Sequence, residues 1–91
     1  MSVNVRIPTI LRSYTSGEQE VSAEGATLGE VIDDLDGRFA GIKGRILDES
    51  GRLRRFVNVY VGEEDVRFLG ELATPTPDGT EIAVIPAVAG G

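Results

Sequence analysis

The sequence predicts an α+β fold, with one main helix packed on one face of a mixed sheet of four to five strands. Residues 28–39 carry a helical stripe of apolar residues, and alternating strand patterns lie on both sides of it. The chain has 91 residues, which suits one domain. The predicted element order is β-β-α-β-(β)-β, and the predicted folded domain covers residues 1–85.

Two strands are predicted before the helix. In residues 3–7, Val3, Val5 and Ile7 alternate with polar residues and share one face, and Pro8 ends the pattern. Residues 18–23 show a weaker strand pattern. We expect the two strands to form a hairpin with a long loop that reverses near Gly17.

A capping box marks the start of the helix. The Thr27 hydroxyl can accept the backbone N–H of Glu30, and the Glu30 side chain can reach back. Gly41 is a plausible stop signal, and residues 44–53 are expected to form a short helical turn and an exposed loop. The apolar stripe that should face the sheet consists of Leu28, Val31, Ile32, Leu35 and Phe39.

The clearest strand pattern lies at 55–61. There the valines at alternate positions face one side, while Phe56 and Tyr60 face the other. An acidic turn follows, formed by Glu63, Glu64 and Asp65, and residues 66–68 could add a short strand. The last strand is predicted at 81–85, because the proline at position 86 has no N–H to donate to a sheet.

The composition excludes several classes of function. With no Cys and no His, the chain can form no disulfide, no Cys–His or Ser–His–Asp centre and no thiolate or imidazole metal site. A formal net charge of −6 disfavours nucleic acid as a partner. The N-terminal residues lack the pattern of a secretory signal, and no apolar run is long enough for a membrane span. The protein is therefore expected to be cytoplasmic.

Four stretches carry a family resemblance: RIPTILR, GATLGEVIDDL, FVNVYVGEEDV and DGTEIAVIPAVAGG. Together they cover nearly the whole chain. They resemble the MoaD/ThiS family of sulfur carriers, which have the ubiquitin-like β-grasp fold. Within that family, PAVAGG combined with EDVRF is most similar to the carriers that serve cysteine synthesis.

The resemblance implies that the protein is a co-substrate of other enzymes and is not itself an enzyme. In this family the C-terminal carboxylate, here that of Gly91, is adenylated and then converted to a thiocarboxylate. Residues 86–91 would form a flexible tail that enters the partner. Its other members are Pro86, Ala87, Val88, Ala89 and Gly90.

The resemblance also implies the partners and the cofactors. A MoeB/ThiF-type adenylating enzyme, with or without a rhodanese domain, would activate the tail. A pyridoxal-phosphate cysteine synthase would then use the sulfur on O-phosphoserine, and a Mec-type zinc metallopeptidase would release cysteine. ATP, Mg²⁺, zinc and pyridoxal phosphate would belong to these enzymes, with none bound by this chain, which is expected to be a monomer.

The surface that docks these partners is expected to include the exposed aromatics and the acidic turn. The candidate docking residues are Phe56, Tyr60, Glu63, Glu64 and Asp65. The alternatives are that the aromatics pack under the loop at 40–54 and that the acidic residues form an ordinary solvated turn.

Three other functions remain open on the sequence. The protein could carry sulfur for molybdopterin or thiazole synthesis, or it could be a ubiquitin-like modifier joined to lysines of other proteins. It could also be a β-grasp interaction module whose tail has no role. Removal of Gly90 and Gly91 distinguishes the interaction module from the other functions, because only the interaction module should keep its function without these residues.

Overall fold

The computed structural model describes residues 2–55 and 57–86, and the predictions for Phe56 and for residues 87–91 lie outside them. Within these residues the predicted α+β architecture is confirmed, as a five-stranded mixed sheet with one long helix. The helices are α1 (Leu28–Arg38) and α2 (Lys43–Ile46). The strands are β1 (Ser2–Arg6), β2 (Glu20–Glu24), β3 (Val57–Val61), β4 (Glu64–Asp65) and β5 (Glu81–Pro86).

The strand order across the sheet is β2-β1-β5-β3-β4. The first strand pairs with β2 in the antiparallel direction and with β5 in the parallel direction. The last strand also pairs with β3, antiparallel, and β3 forms a tight hairpin with β4. The first and last strands of the described chain therefore lie side by side in the middle of the sheet.

The core lies between α1 and the sheet, where the sequence predicted it. The helical residues Leu28, Val31, Ile32 and Leu35 are buried, and Phe39 packs partly buried against them. The loop after α1 closes one side of the core with Ile42, Ile46, Leu47 and Leu53. The sheet contributes the buried residues Val3, Val5, Ala23, Val59, Ile82 and Val84, and Ile7, just after β1, is buried beside them.

The capping box forms at the start of α1. The backbone N–H of Glu30 donates to Thr27 Oγ1 over 3.3 Å, and the Glu30 carboxylate accepts the N–H of Ala26 at 3.1 Å. The first bond satisfies a donor that the first turn of a helix otherwise leaves open, and the second joins the Glu30 side chain to the residue before the Thr27 cap. The helix ends at Arg38, and Gly41 has a φ of +97°, consistent with the predicted stop.

Two short segments differ from the sequence prediction. Residues Thr9–Thr15, expected to be part of a long loop, form a 3₁₀ helix. The possible strand at 66–68 is wrong: Val66–Phe68 is a 3₁₀ helix, and the extra strand is β4. The reason is local, because the Asp65 carboxylate accepts the N–H of Arg67 at 2.9 Å and so caps a helical turn, while Val66 is buried.

Candidate functional site

The candidate site is the end of β5, where the chain leaves the sheet towards residues 87–91. In the described register, Val57 of β3 lies opposite Pro86, whereas the last paired residue of β1, Arg6, lies opposite Ala83. The end of β5 therefore extends beyond its pairing with β1 while β3 still supports it on the other side. This arrangement fixes the position of Pro86, which residues 87–91 follow in the sequence.

Pro86 is the last residue of β5 in the structure, one position beyond the predicted boundary of the folded domain. As a proline it lacks an N–H, so it cannot donate to a further ladder bond. The remaining tail residues, including Gly91, lie outside the described residues. The assignment of Gly91 as the reactive residue therefore stays a prediction.

The described docking candidates lie at one end of β3 and in the following turn. Tyr60 is partly exposed on the face of β3 opposite the buried Val59, in register with Ala83 of β5. Glu63 and Glu64 are exposed on the hairpin turn. Asp65 is half-buried, and its carboxylate accepts a hydrogen bond from the N–H of Arg67, which caps the 3₁₀ helix Val66–Phe68.

Arg67 was not singled out by the sequence analysis, yet it organises this region. Its guanidinium donates to Asn58 Oδ1 at 2.6 Å and to the carbonyl oxygens of Arg54 and Val57 at 2.8 Å each. The described pairing of β4 begins at Tyr60, so the bond to Val57 supplies a partner for a carbonyl group that precedes it, while the Arg54 carbonyl also accepts the N–H of Val57 at 3.0 Å. Sequence patterns give no signal for such a contact, since it depends on the 3₁₀ turn that follows β4.

A groove of about 240 Å³ lies beside the end of β5. Its lining residues come from four separate parts of the chain and include Pro86 itself. They are Pro8, Ile10, Leu11, Arg45, Arg54, Val57, Val84 and Pro86. No sequence pattern indicates this groove, because its lining residues are distant along the chain and share no periodicity.

Arg45 is fixed at the wall of this groove by Tyr14. The Arg45 Nε–H donates to the Tyr14 hydroxyl at 2.7 Å, and the guanidinium carbon lies 5.9 Å from the centre of the tyrosine ring. The hydrogen bond to Tyr14 raises the pKa of Arg45. The side chain thus brings a permanent positive charge to the groove that Pro86 also lines. Pro86 is called the root of the tail.

Residues 2–55 and 57–86 contain no group of three acidic side chains placed to hold a metal ion. Among the same residues, neither helix has the length and apolar character needed to cross a membrane.

Sequence comparison places the chain in a known family. The model of the ThiS family matches residues 5–91. The sulfur carrier protein CysO of Mycobacterium tuberculosis is 56% identical over 93 residues, covering 100% of both chains. Small archaeal modifier protein 3 of Haloferax volcanii is 37% identical over 68 residues, or 75% of this chain and 73% of its own.

Structural comparison confirms the ubiquitin-like β-grasp fold. A chain of the crystal structure of the Amycolatopsis orientalis BexX/CysO complex matches with a TM-score of 0.92 and 55% sequence identity. The match covers 98% of this chain and 99% of that one. With the family match, the full-length identity and the fold in agreement, the chain belongs to the ThiS family.

Proposed function

We propose that this protein is a sulfur carrier whose Gly91 carboxylate is converted to a thiocarboxylate by partner enzymes. The observation that carries the proposal is the 56% identity, over the full length, to the sulfur carrier protein CysO of Mycobacterium tuberculosis. The position of β5 supports it, since this strand leads from the middle of the sheet directly into AVAGG. The chain acts as a protein co-substrate and not as a catalyst.

The chemistry explains why a partner is required. A carboxylate is a poor electrophile, because its charge is delocalised and oxide is a poor leaving group. Attack of the Gly91 carboxylate on the α-phosphorus of ATP releases pyrophosphate and forms an acyl-adenylate. A sulfide equivalent then attacks the carbonyl carbon, AMP leaves, and the terminal –COS⁻ group is a soft sulfur nucleophile.

The composition of the tail suits delivery into a narrow active site. Five residues after Pro86 span roughly 16 Å when extended, at about 3.3 Å per residue. Four of them, Ala87, Ala89, Gly90 and Gly91, have a small side chain or none. The two glycines lack a Cβ, so the backbone can pass close to a partner and adopt dihedrals closed to other residues.

The proposed activating partner is a MoeB/ThiF-type adenylating enzyme, with or without a rhodanese domain that delivers sulfur. ATP and Mg²⁺ belong to that enzyme. We place the protein in cysteine synthesis, where a pyridoxal-phosphate enzyme alkylates the thiocarboxylate with the three-carbon unit of O-phosphoserine. An S-to-N shift leaves cysteine bound to Gly91 by an amide, which a Mec-type zinc metallopeptidase hydrolyses.

Adenylation of the tail is tested by release of pyrophosphate with the adenylating enzyme and ATP. We expect release with the full chain and none after deletion of Gly91. Gly90→Val should reduce the rate at least tenfold, because a branched side chain next to the terminus obstructs close approach. Both variants should keep the wild-type circular dichroism spectrum, since the changes lie beyond β5. Normal pyrophosphate release from the truncated chain would reject the proposal.

The cysteine branch has its own test. The thiocarboxylated protein is mixed with the cysteine synthase and O-phosphoserine, and the intact mass is measured. We expect a species that carries one additional cysteine residue and disappears after treatment with the metallopeptidase. If the protein instead transfers sulfur only in a molybdopterin or thiazole synthesis assay, it is a carrier of that alternative branch.

A second candidate function is a ubiquitin-like modifier, favoured by the 37% identity to small archaeal modifier protein 3. An acyl-adenylate can also pass to a lysine amine. Polymers in which one copy is attached to another are disfavoured. Lys43 is the single lysine that could accept another copy, and its Nζ lies 2.5 Å from Asp33 Oδ1. Conjugates in a cell lysate that depend on Gly91 would support this function, and their absence would count against it.

A further inference from the structure

The groove beside the end of β5 differs in charge from the rest of the molecule. The chain has fifteen acidic and nine basic residues. The groove is lined by two arginines, Arg45 and Arg54, and no acidic residue is among its described lining residues. A positive groove in an acidic protein favours an acidic ligand over a basic one.

Both arginines are anchored in a way that leaves part of each guanidinium available. Arg45 uses its Nε–H for the Tyr14 hydroxyl, and Arg54 uses its Nε–H for the carbonyl oxygen of Gly44 at 2.9 Å. Among the hydrogen bonds of the described residues, the terminal nitrogens of these two side chains are not engaged. Two terminal nitrogens of one guanidinium match the two oxygens of a carboxylate.

In the part of the chain that the structure describes, neither Arg45 nor Arg54 lies within ion-pair distance of a carboxylate. Asp48 is close enough to feel the charge of Arg54, but its Oδ1 already accepts hydrogen bonds from Ser50 and from the N–H of Arg52. Among residues 2–55 and 57–86, the groove therefore has no carboxylate paired directly with either arginine.

The remaining lining is apolar and includes the root of the tail. Leu11 and Val84 are buried at the groove, whereas Ile10 is 68% exposed, which is unusual for a large aliphatic side chain. Pro86 completes the apolar part. An occupant with an apolar group beside a carboxylate would match both halves of the lining.

We propose that this groove docks a segment of the adenylating partner that carries a carboxylate next to an apolar side chain. The inference rests on the proposed function, because that function requires an enzyme to hold this protein while it takes the tail. Since Pro86 lines the groove, an occupant contacts the residue from which the tail starts. Docking here would fix the start of the tail relative to the active site and supply affinity that the slim tail cannot.

The test measures the dissociation constant between the full chain and its adenylating enzyme, without ATP, by calorimetry. Arg45→Glu and Arg54→Glu reverse the charge of the groove. Arg52→Glu makes the same charge change in the same region, on a side chain that is 72% exposed and outside the groove. We expect each groove variant to weaken binding by about tenfold or more relative to Arg52→Glu, as for charges at the centre of an interface.

Two neutral substitutions test the groove without charge reversal. Ile10→Ser removes an exposed apolar group and should weaken binding several-fold with no loss of thermal stability. Tyr14→Phe releases the anchor of Arg45 and should weaken binding less than Arg45→Glu. The difference between Arg45→Glu and wild type should shrink at high salt, because an exposed charge pair is screened. If Arg45→Glu or Arg54→Glu fails to fold, the binding of Ile10→Ser and Tyr14→Phe tests whether the partner docks in the groove.

The outcomes separate the inference from the function on which it rests. Groove variants that fold, and bind as Arg52→Glu and wild type do, would overturn the docking proposal while adenylation of the tail stands. Loss of binding that is equal in Arg45→Glu and Arg52→Glu would also overturn it, since only overall charge would then matter. A wild-type chain that the enzyme binds but does not adenylate would reject the proposed function instead.

Discussion

At the residue scale, Gly25, between β2 and α1, has the least room for a side chain among the glycines that the structure describes. A Cβ at this position would lie 2.7 Å from the backbone nitrogen of Val31 and 2.9 Å from the carbonyl carbon of Glu30. The Gly25 carbonyl oxygen also accepts the hydroxyl of the buried Thr76 at 2.9 Å. The start of α1 and the loop before β5 are thus held close to the glycine backbone.

Gly25→Ala should therefore destabilise the protein by roughly 1–3 kcal/mol, the usual cost of overpacking. The matched control is Gly37→Ala, within α1, where an added Cβ would meet nothing within 4 Å. That change should stabilise the helix by up to about 1 kcal/mol, because alanine is the better helix former. Urea unfolding of both variants measures the difference, and equal stability of the two would contradict this packing.

At the element scale, the sequence predicts those elements whose apolar residues repeat regularly. The stripe of α1 has four buried residues and β1 has two at alternate positions, whereas the alternation in β3 is visible from its valines although Val59 alone is fully buried in that strand. The 3₁₀ helix Val66–Phe68 could not be predicted in this way, because three residues establish no period and its conformation depends on the Asp65 cap. The 3₁₀ helix Thr9–Thr15 likewise depends on the buried Leu11 and Thr15.

The loop between Leu47 and Leu53 depends on an ionised carboxylate. These two residues form an isolated antiparallel bridge, and Asp48 Oδ1 accepts hydrogen bonds from the N–H groups of Ser50 and Arg52. Hydrogen bonds, that of the Ser50 side chain first, hold the pKa of Asp48 below its usual value. A carboxyl whose pKa falls on folding stabilises the loop when ionised.

The loop contribution should be complete above the unfolded-state pKa of about 3.9 and be lost as the pH falls through the lower folded-state value. Hydrogen-exchange protection factors of the Ser50 and Arg52 amides should therefore drop below about pH 4. In Asp48→Asn they should be lower and independent of pH over the same range. Full wild-type protection down to about pH 2 would show that the carboxylate does not hold this loop.

At the scale of the whole molecule, the sheet order connects the fold to the proposed function. The parallel pairing of β1 with β5 places the last described strand in the middle of the sheet, supported on both sides. Beyond Ala83 only β3 still pairs with β5, and Pro86 at the strand end lies opposite Val57 and lines the groove that carries Arg45 and Arg54. A partner bound to this surface would contact Pro86, the residue after which the tail follows in the sequence.

The tail and the groove differ in how far the sequence could predict them. The AVAGG segment is contiguous and follows a clear strand pattern, so its role could be proposed from the sequence. The groove depends on tertiary structure, because Ile10, Arg45 and Pro86 come together only when the 3₁₀ helix, α2 and β5 pack at one end of the sheet. Its arginines are visible in the sequence, but their common location is not.

The measurement that tests the central claim most directly is the intact mass of the protein after incubation with its adenylating enzyme, ATP and a sulfur source. A species heavier by the mass difference between sulfur and oxygen is predicted, absent without ATP and absent when Gly91 is deleted. The folded core of that species should be unchanged, with the modification located on the C-terminal peptide. An unchanged mass, with an enzyme proven active on another carrier, would contradict the carrier account.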